Sequence, residues 1–265
     1  MSMMNPAPRR TLVLAGVLLG LLLAATHAQA RTFVSVTTPA GEVFDVTGTG
    51  RVSVYNADGD TGWSAEGRAI ADHGISRAIV TAMADGVAVD PRVSAYAGWE
   101  DVFTVSGGTP GTSGTLTLGV TITGLFEGVA GDVNTMPRTT VQYTLDRGFA
   151  GTSVAGFSDL GVTGSERVET TLVGTYGFIY GESFRVRGNL ELEANVTGFA
   201  PLTFGLAEAD FLGTAVVSQL VLPAGATLST LSGAHYPVPL PASLWLLASV
   251  LIAGAVRRTR RIATP

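Results

Sequence analysis

The chain contains no cysteine and no lysine. The first absence removes disulfides, thiolate metal sites, iron–sulfur clusters and cysteine nucleophiles together. The second leaves arginine to supply all 16 basic residues. Histidine is scarce too, with His27, His73 and His235 the three present, which leaves little for imidazole-based metal or triad chemistry. Only 14% of residues are charged against 46% hydrophobic, a balance that excludes a disordered chain.

The basic charge that exists is concentrated at the ends. Arg9 and Arg10 stand near the start, and Arg257, Arg258, Arg260 and Arg261 near the finish. All 21 acidic residues fall between Glu42 and Asp210, and with the ten arginines of residues 31–236 they leave that body a balance of −11 beneath the formal net charge of −5. Such a body has no basic face for nucleic acid. Each basic end borders an apolar run, which helps raise the mean hydropathy to +0.37.

Residues 1–30 read as a secretory signal peptide. Arg9-Arg10 forms a charged n-region, and Thr11 to Ala25 is an apolar run of 15 residues with seven leucines. Ala28-Gln29-Ala30 offers the small-x-small pattern of signal peptidase, so Ala28, Ala30 and Arg31 mark the expected cleavage site. The general secretory route fits the apolar h-region, and Arg9-Arg10 leaves the twin-arginine route open. Residues 237–265 form a second address. Pro237, Pro239 and Pro241 make a stiff, extended stem. Residues 242–256 follow as an apolar segment, about 22 Å long as a helix against a hydrocarbon core of about 30 Å. The arginines at 257–261 hold the end of such a span in the cytoplasm.

Val238, Pro239, Leu240, Pro241 and Ala242, followed by the apolar segment and by Arg257, Arg258, Arg260 and Arg261, resemble the VPLPA variant of the PEP-CTERM sorting signal of bacterial surface proteins. The resemblance covers about 28 residues and departs from the commoner Pro-Glu-Pro form at Leu240. It implies processing by an exosortase, a membrane-embedded cysteine protease or transpeptidase. It also implies a transient anchor in the inner membrane and a link to exopolysaccharide or biofilm. Two body segments are loosely similar to ectodomains that carry such tails: Ala95 to Val105, and Ala209 to Ala215 continuing through Leu220 to Gly233. That likeness implies a secreted sandwich and supplies no catalytic residue.

Residues 31–236 are expected to form one all-β ectodomain, a single antiparallel β-sandwich of jelly-roll-like type. Leu116, Leu118, Val120 and Ile122 alternate with threonine and glycine, the period of a half-buried strand. Val141, Tyr143 and Leu145 repeat the pattern, and strands also fit Thr32–Thr38, Val43–Thr47 and Val52–Tyr55. Phe184 to Val196 alternates longest, so Gly188-Asn189 is read as a bend, bulge or turn. The alanine-rich stretch from Arg68 to Met83 competes as a helix, but Asp72-His73-Gly74 divides it into two strands. Turns are also placed at Asn56–Gly62, Asp85-Gly86 and Ser106–Gly114.

The body carries little identifiable chemistry. His27 leaves with the signal, His235 lies in the stem, and His73 sits alone in a turn. No cofactor motif and no nucleophile elbow occurs. Glu191 and Glu193 share a strand face, which raises a glycosidase reading, but Arg185 and Arg187 on that face make ion pairing the simpler account. Asn56, Asp58 and Asp60 resemble a calcium loop, yet the spacing of glycine and glutamate in an EF-hand is missing. Trp63, Trp99, Tyr176 and Tyr180 are candidate saccharide contacts, although aromatics also fill sandwich cores. The reading is therefore a non-enzymatic, exported surface or matrix protein with a structural or adhesive role. The alternative is a carbohydrate-binding or calcium-dependent lectin-like module, and the third reading is an extracellular hydrolase. Its partners are the secretion machinery, signal peptidase, the exosortase and exopolysaccharide.

Overall fold

The computed structural model describes residues 29–48, 50–87, 89–131, 135–146, 153–161, 164–198 and 204–237. Thirteen strands run in order: β1 (Arg31–Thr38), β2 (Gly41–Thr47), β3 (Val52–Asp60), β4 (Trp63–Asp72), β5 (Ile75–Asp85), β6 (Arg92–Ser106), β7 (Ser113–Ala130), β8 (Thr135–Asp146), β9 (Ser153–Gly161), β10 (Gly164–Ile179), β11 (Ser183–Gly198), β12 (Phe204–Val221) and β13 (Thr227–Thr230). They form two antiparallel sheets. One has the order β2-β1-β6-β11-β8-β9, with β13 also paired to β6; the other has the order β10-β7-β12-β5-β4-β3. The β-sandwich is thus present. Among the described residues no helix is long and apolar enough to cross a membrane. The signal h-region, the motif Val238–Ala242, the 242–256 segment and the arginines at 257–261 lie outside the described residues.

Period-two alternation sets which residues form the core. In β11, Phe184, Val186, Gly188, Leu190, Leu192, Ala194 and Val196 are all buried, while the residues alternating with them reach solvent. The six-stranded sheet lines its inner face with small side chains on β4, β5 and β12: Ala65, Ala69, Ala78, Ala82, Ala207 and Ala209 are fully buried. Gly67 completes that surface, since a Cβ there would lie 2.7 Å from Val36 of the opposite sheet. Larger side chains, among them Trp99, Phe103, Tyr143 and Leu190, come from the facing sheet. This answers the helix-or-strand question for 68–83. The alanines supply a small inner face, and β4 and β5 flank a turn at Gly74, whose φ of 78° suits glycine.

Two local expectations are corrected. The bend expected at Gly188-Asn189 is absent, and β11 continues unbroken from Ser183 to Gly198. Gly188 makes room there instead: a Cβ would fall 2.4 Å from the Tyr143 hydroxyl oxygen and 2.5 Å from Trp99 Nε1. The turn expected over Asn56–Gly62 shrinks to Thr61-Gly62, because Asn56 to Asp60 belongs to β3 and pairs with β4.

Candidate functional site

The outer face of the six-stranded sheet carries the candidate site. In β3, Val52 is buried and Val54 half-buried, so Ser53 and Tyr55 point outward. Tyr55 is 59% exposed. Its hydroxyl donates to Glu66 Oε2 on β4 at 3.0 Å, and this contact to a carboxylate raises the phenol's pKa above its ordinary value. Tyr55 lies opposite Arg68, and Arg68 lies opposite Ile79 of β5. Together with Glu66, Thr81 and Leu212 these residues line a depression of about 250 Å³. On its floor Thr81 Oγ1 donates to Glu208 Oε2 at 3.2 Å. Burial, followed by the nearby charges of Asp210, Glu127 and Glu66, raises the pKa of Glu208 despite that hydrogen bond.

Leu212 reaches the depression because β12 bulges. The register to β5 shifts between Asp210 and Ala215, and Asp210 Oδ1 accepts the Leu212 backbone N–H at 2.8 Å. Phe211 turns inward and packs 5.4 Å from Phe126. It covers Gly124, where a Cβ would stand 2.4 Å from its ring. The segment Ala209 to Ala215 therefore folds around this bulge.

The four aromatics expected to meet a saccharide lie elsewhere. Trp99 is fully buried and Tyr176 is 2% exposed, so neither offers a ring face to a ligand; this corrects the expectation for both. Trp63 and Tyr180 are half-buried and pack against the core. Tyr180 sits edge-on to Phe178 at 5.0 Å. All four are used by the sandwich interior, while Tyr55, which with Phe44 is an aromatic open to solvent, was not among the candidates. The signal that could have found it was an aromatic out of phase with Val52 and Val54.

The calcium candidates do not converge either. Asn56, Asp58 and Asp60 lie along extended β3, about two rises apart at each step. Asn56 Nδ2 is directed to the Gly41 carbonyl at 2.9 Å and to Val36 and Thr38, tying β3 to the opposite sheet. Asp58 and Asp60 each accept the next backbone N–H. Glu193 is ion-paired with Arg92 at 2.7 Å, and Glu191 stands between Tyr96 and Gln142 in the register. Neither glutamate lines the depression. Asp72 accepts the backbone N–H of His73, and the His73 ring nitrogens have no partner among the described residues. Ala28 lies outside the described residues; Ala30 is buried and Arg31 opens β1.

No family model matches the chain, and no curated protein is significantly similar to it. Among solved structures it is similar to the carbohydrate-binding module TmCBM61 in complex with β-1,4-galactotriose, at 9% identity and a TM-score of 0.22, over 66% of this chain and 87% of that one. A score of that size does not establish a common fold. The sandwich described here rests on its own strand register.

Proposed function

We propose that this protein is an exported surface or matrix protein whose sandwich binds polysaccharide through the face around Tyr55, and that it is not an enzyme. The observation that carries the binding reading is the exposed Tyr55 ring, oriented by Glu66 beside Arg68, Thr81 and Leu212 in one depression. A ring face offers the apolar side of a sugar a surface, while carboxylate, guanidinium and hydroxyl groups at its rim match sugar hydroxyls. The test is a glycan panel that includes β-galactan, β-glucan, poly-N-acetylglucosamine and alginate, run with wild type and Tyr55→Ala. Binding that survives Tyr55→Ala undiminished, or no binding to any member, sinks the reading. Adding a chelator is expected to change nothing, because Asn56, Asp58 and Asp60 do not meet around one point.

Export and sorting are part of the same proposal. Supporting them are the signal-like residues 1–30, the start of β1 at Arg31 directly after Ala28-Gln29-Ala30, and the Val238–Ala242 motif followed by its apolar segment and arginines. In this reading the protein crosses the inner membrane and is held briefly by its C-terminal segment. An exosortase then releases it to the cell surface or the surrounding matrix. Intact-mass analysis with and without the exosortase tests it: a chain still ending at Pro265 in cells that contain the enzyme rejects processing.

A further inference from the structure

A second depression lies on the same outer face. Thr123, Gly124 and Leu125 of β7, Arg167 of β10, and Asp210 and Gly213 of β12 enclose about 250 Å³. Strand register places the two depressions on a common line. Tyr55 is opposite Arg68, Arg68 opposite Ile79, Ile79 opposite Asp210, Asp210 opposite Leu125, and Leu125 opposite Arg167. A parallel row beside it runs Ala57, Glu66, Thr81, Glu208, Glu127 and Ser165. Residues directly opposite in antiparallel strands share a face, so both rows form one band across all six strands. The β12 bulge divides it, with Leu212 lining one depression and Gly213 the other.

We propose that the two depressions are the ends of one path for a linear, uncharged, β-linked polysaccharide running across the strands from Tyr55 to Arg167. This rests on the saccharide reading above and extends it to the class of ligand. Five strand spacings of about 4.8 Å give a path of about 24 Å. An extended β-1,4-linked hexose chain advances roughly 5 Å per sugar, close to the spacing between neighbouring strands. The path therefore suits a segment of several sugars and exceeds a mono- or disaccharide. The band's charge sets the other limit. Glu66, Glu127, Glu208 and Asp210 face Arg68 and Arg167, and neither arginine has an ion-pair partner among the described residues. Four carboxylates against two guanidiniums, on a body whose balance is −11, repel a polyuronate.

The test uses a size series of β-1,4-gluco-oligosaccharides from the disaccharide to the octasaccharide, with polygalacturonate as the acidic competitor. Affinity is expected to rise at least about tenfold between the trisaccharide and the hexasaccharide. Arg167→Ala is expected to abolish that gain with length, and polygalacturonate not to compete. Arg167 is exposed, so the variant should fold, which a thermal unfolding curve verifies; Leu125→Asp, at a 36% exposed position, provides a second probe of the same end. A flat series that still depends on Tyr55 overturns the path and leaves the saccharide reading standing. An undiminished length gain in both variants, or effective competition by polygalacturonate, also overturns it. Failure of every oligosaccharide overturns the path, and the broader glycan panel then decides whether the saccharide reading falls with it.

Discussion

The Tyr236 hydroxyl donates to Asp101 Oδ2 at 2.9 Å, and the Tyr236 ring lies 5.0 Å from Phe103 and 5.9 Å from Trp99. Ser232 reaches the same carboxylate through its backbone N–H, at 3.1 Å, and through its hydroxyl. One residue earlier on β6, Glu100 holds Arg31 of β1 at 3.4 Å. Two consecutive carboxylates therefore fasten both ends of the described fold. Asp101 is fully buried, so its charge depends on these donors in place of water. Tyr236→Phe keeps the ring packing and removes one donor. It is expected to cost about 1–3 kcal/mol, read as a lower urea midpoint with an unchanged slope. Ser232→Ala should act in the same direction.

Glu100 and Glu193 form a contrasting pair. Glu100 is 2% exposed and meets Arg187 at 2.7 Å, Arg185 at 3.5 Å and Arg31 at 3.4 Å. Glu193 is 31% exposed and meets the 67% exposed Arg92. Exposed pairs contribute about 0–1 kcal/mol, whereas removing one partner of a buried charge contact costs several times more. Glu100→Gln is expected to lower stability by about 2 kcal/mol or more, and Glu193→Gln by under about 1 kcal/mol. Equal effects in chemical denaturation would contradict this account.

The sandwich was legible from alternation in residues such as Leu116–Ile122 and Val141–Leu145, because burial of one sheet face leaves a period of two in the sequence. Gly188 shows where that legibility ended. A glycine within an alternating run has several explanations, and its actual role, clearance for Trp99 and Tyr143, depends on side chains from β6 and β8 that no local pattern displays. The site was hidden for a related reason. Trp63, Trp99 and Tyr176 drew attention as large aromatics, yet their strand parity turns them toward the core, and parity turns Tyr55 outward. The rows joining Tyr55 to Arg167 depend on register among six strands.

Gly188→Ala is the direct check on that clearance. A methyl group there must displace packed ring atoms, at an expected cost of about 1–3 kcal/mol. Gly177→Ala in β10 is the control, since nothing stands within 4 Å of its Cβ position. Loss of near-ultraviolet circular dichroism in the first variant alone is the expected result.

The tyrosines predict alkaline behaviour. Burial pushes the Tyr96 phenol up to about 12 and raises Tyr143 and Tyr176 from the ordinary 10.0; burial and the Asp101 charge raise Tyr236. Between about pH 10 and 12 the unfolded chain has released these protons and the folded chain retains them, so stability falls as pH rises. It is fully present below about 10 and lost through about 12 for Tyr96. Tyrosinate absorbance and circular dichroism are expected to change together over that range. Full ionisation of the buried phenols with the fold intact would reject the assignment.

Tyr55 separates ring from hydroxyl at the candidate site. Tyr55→Phe keeps the ring and removes the contact to Glu66, so the ring is less firmly held and one polar group is lost. The variant is expected to bind about fivefold more weakly on the glycan panel. Tyr55→Ala also removes the ring, and loss of that aromatic anchor is expected to weaken binding beyond about thirtyfold. Because Tyr55 is exposed and lies outside the core, both variants are expected to unfold at the wild-type urea midpoint. Equal losses of affinity in the two variants would place the binding energy in the hydroxyl and its carboxylate partner. The graded loss, with stability unchanged, places it in the ring.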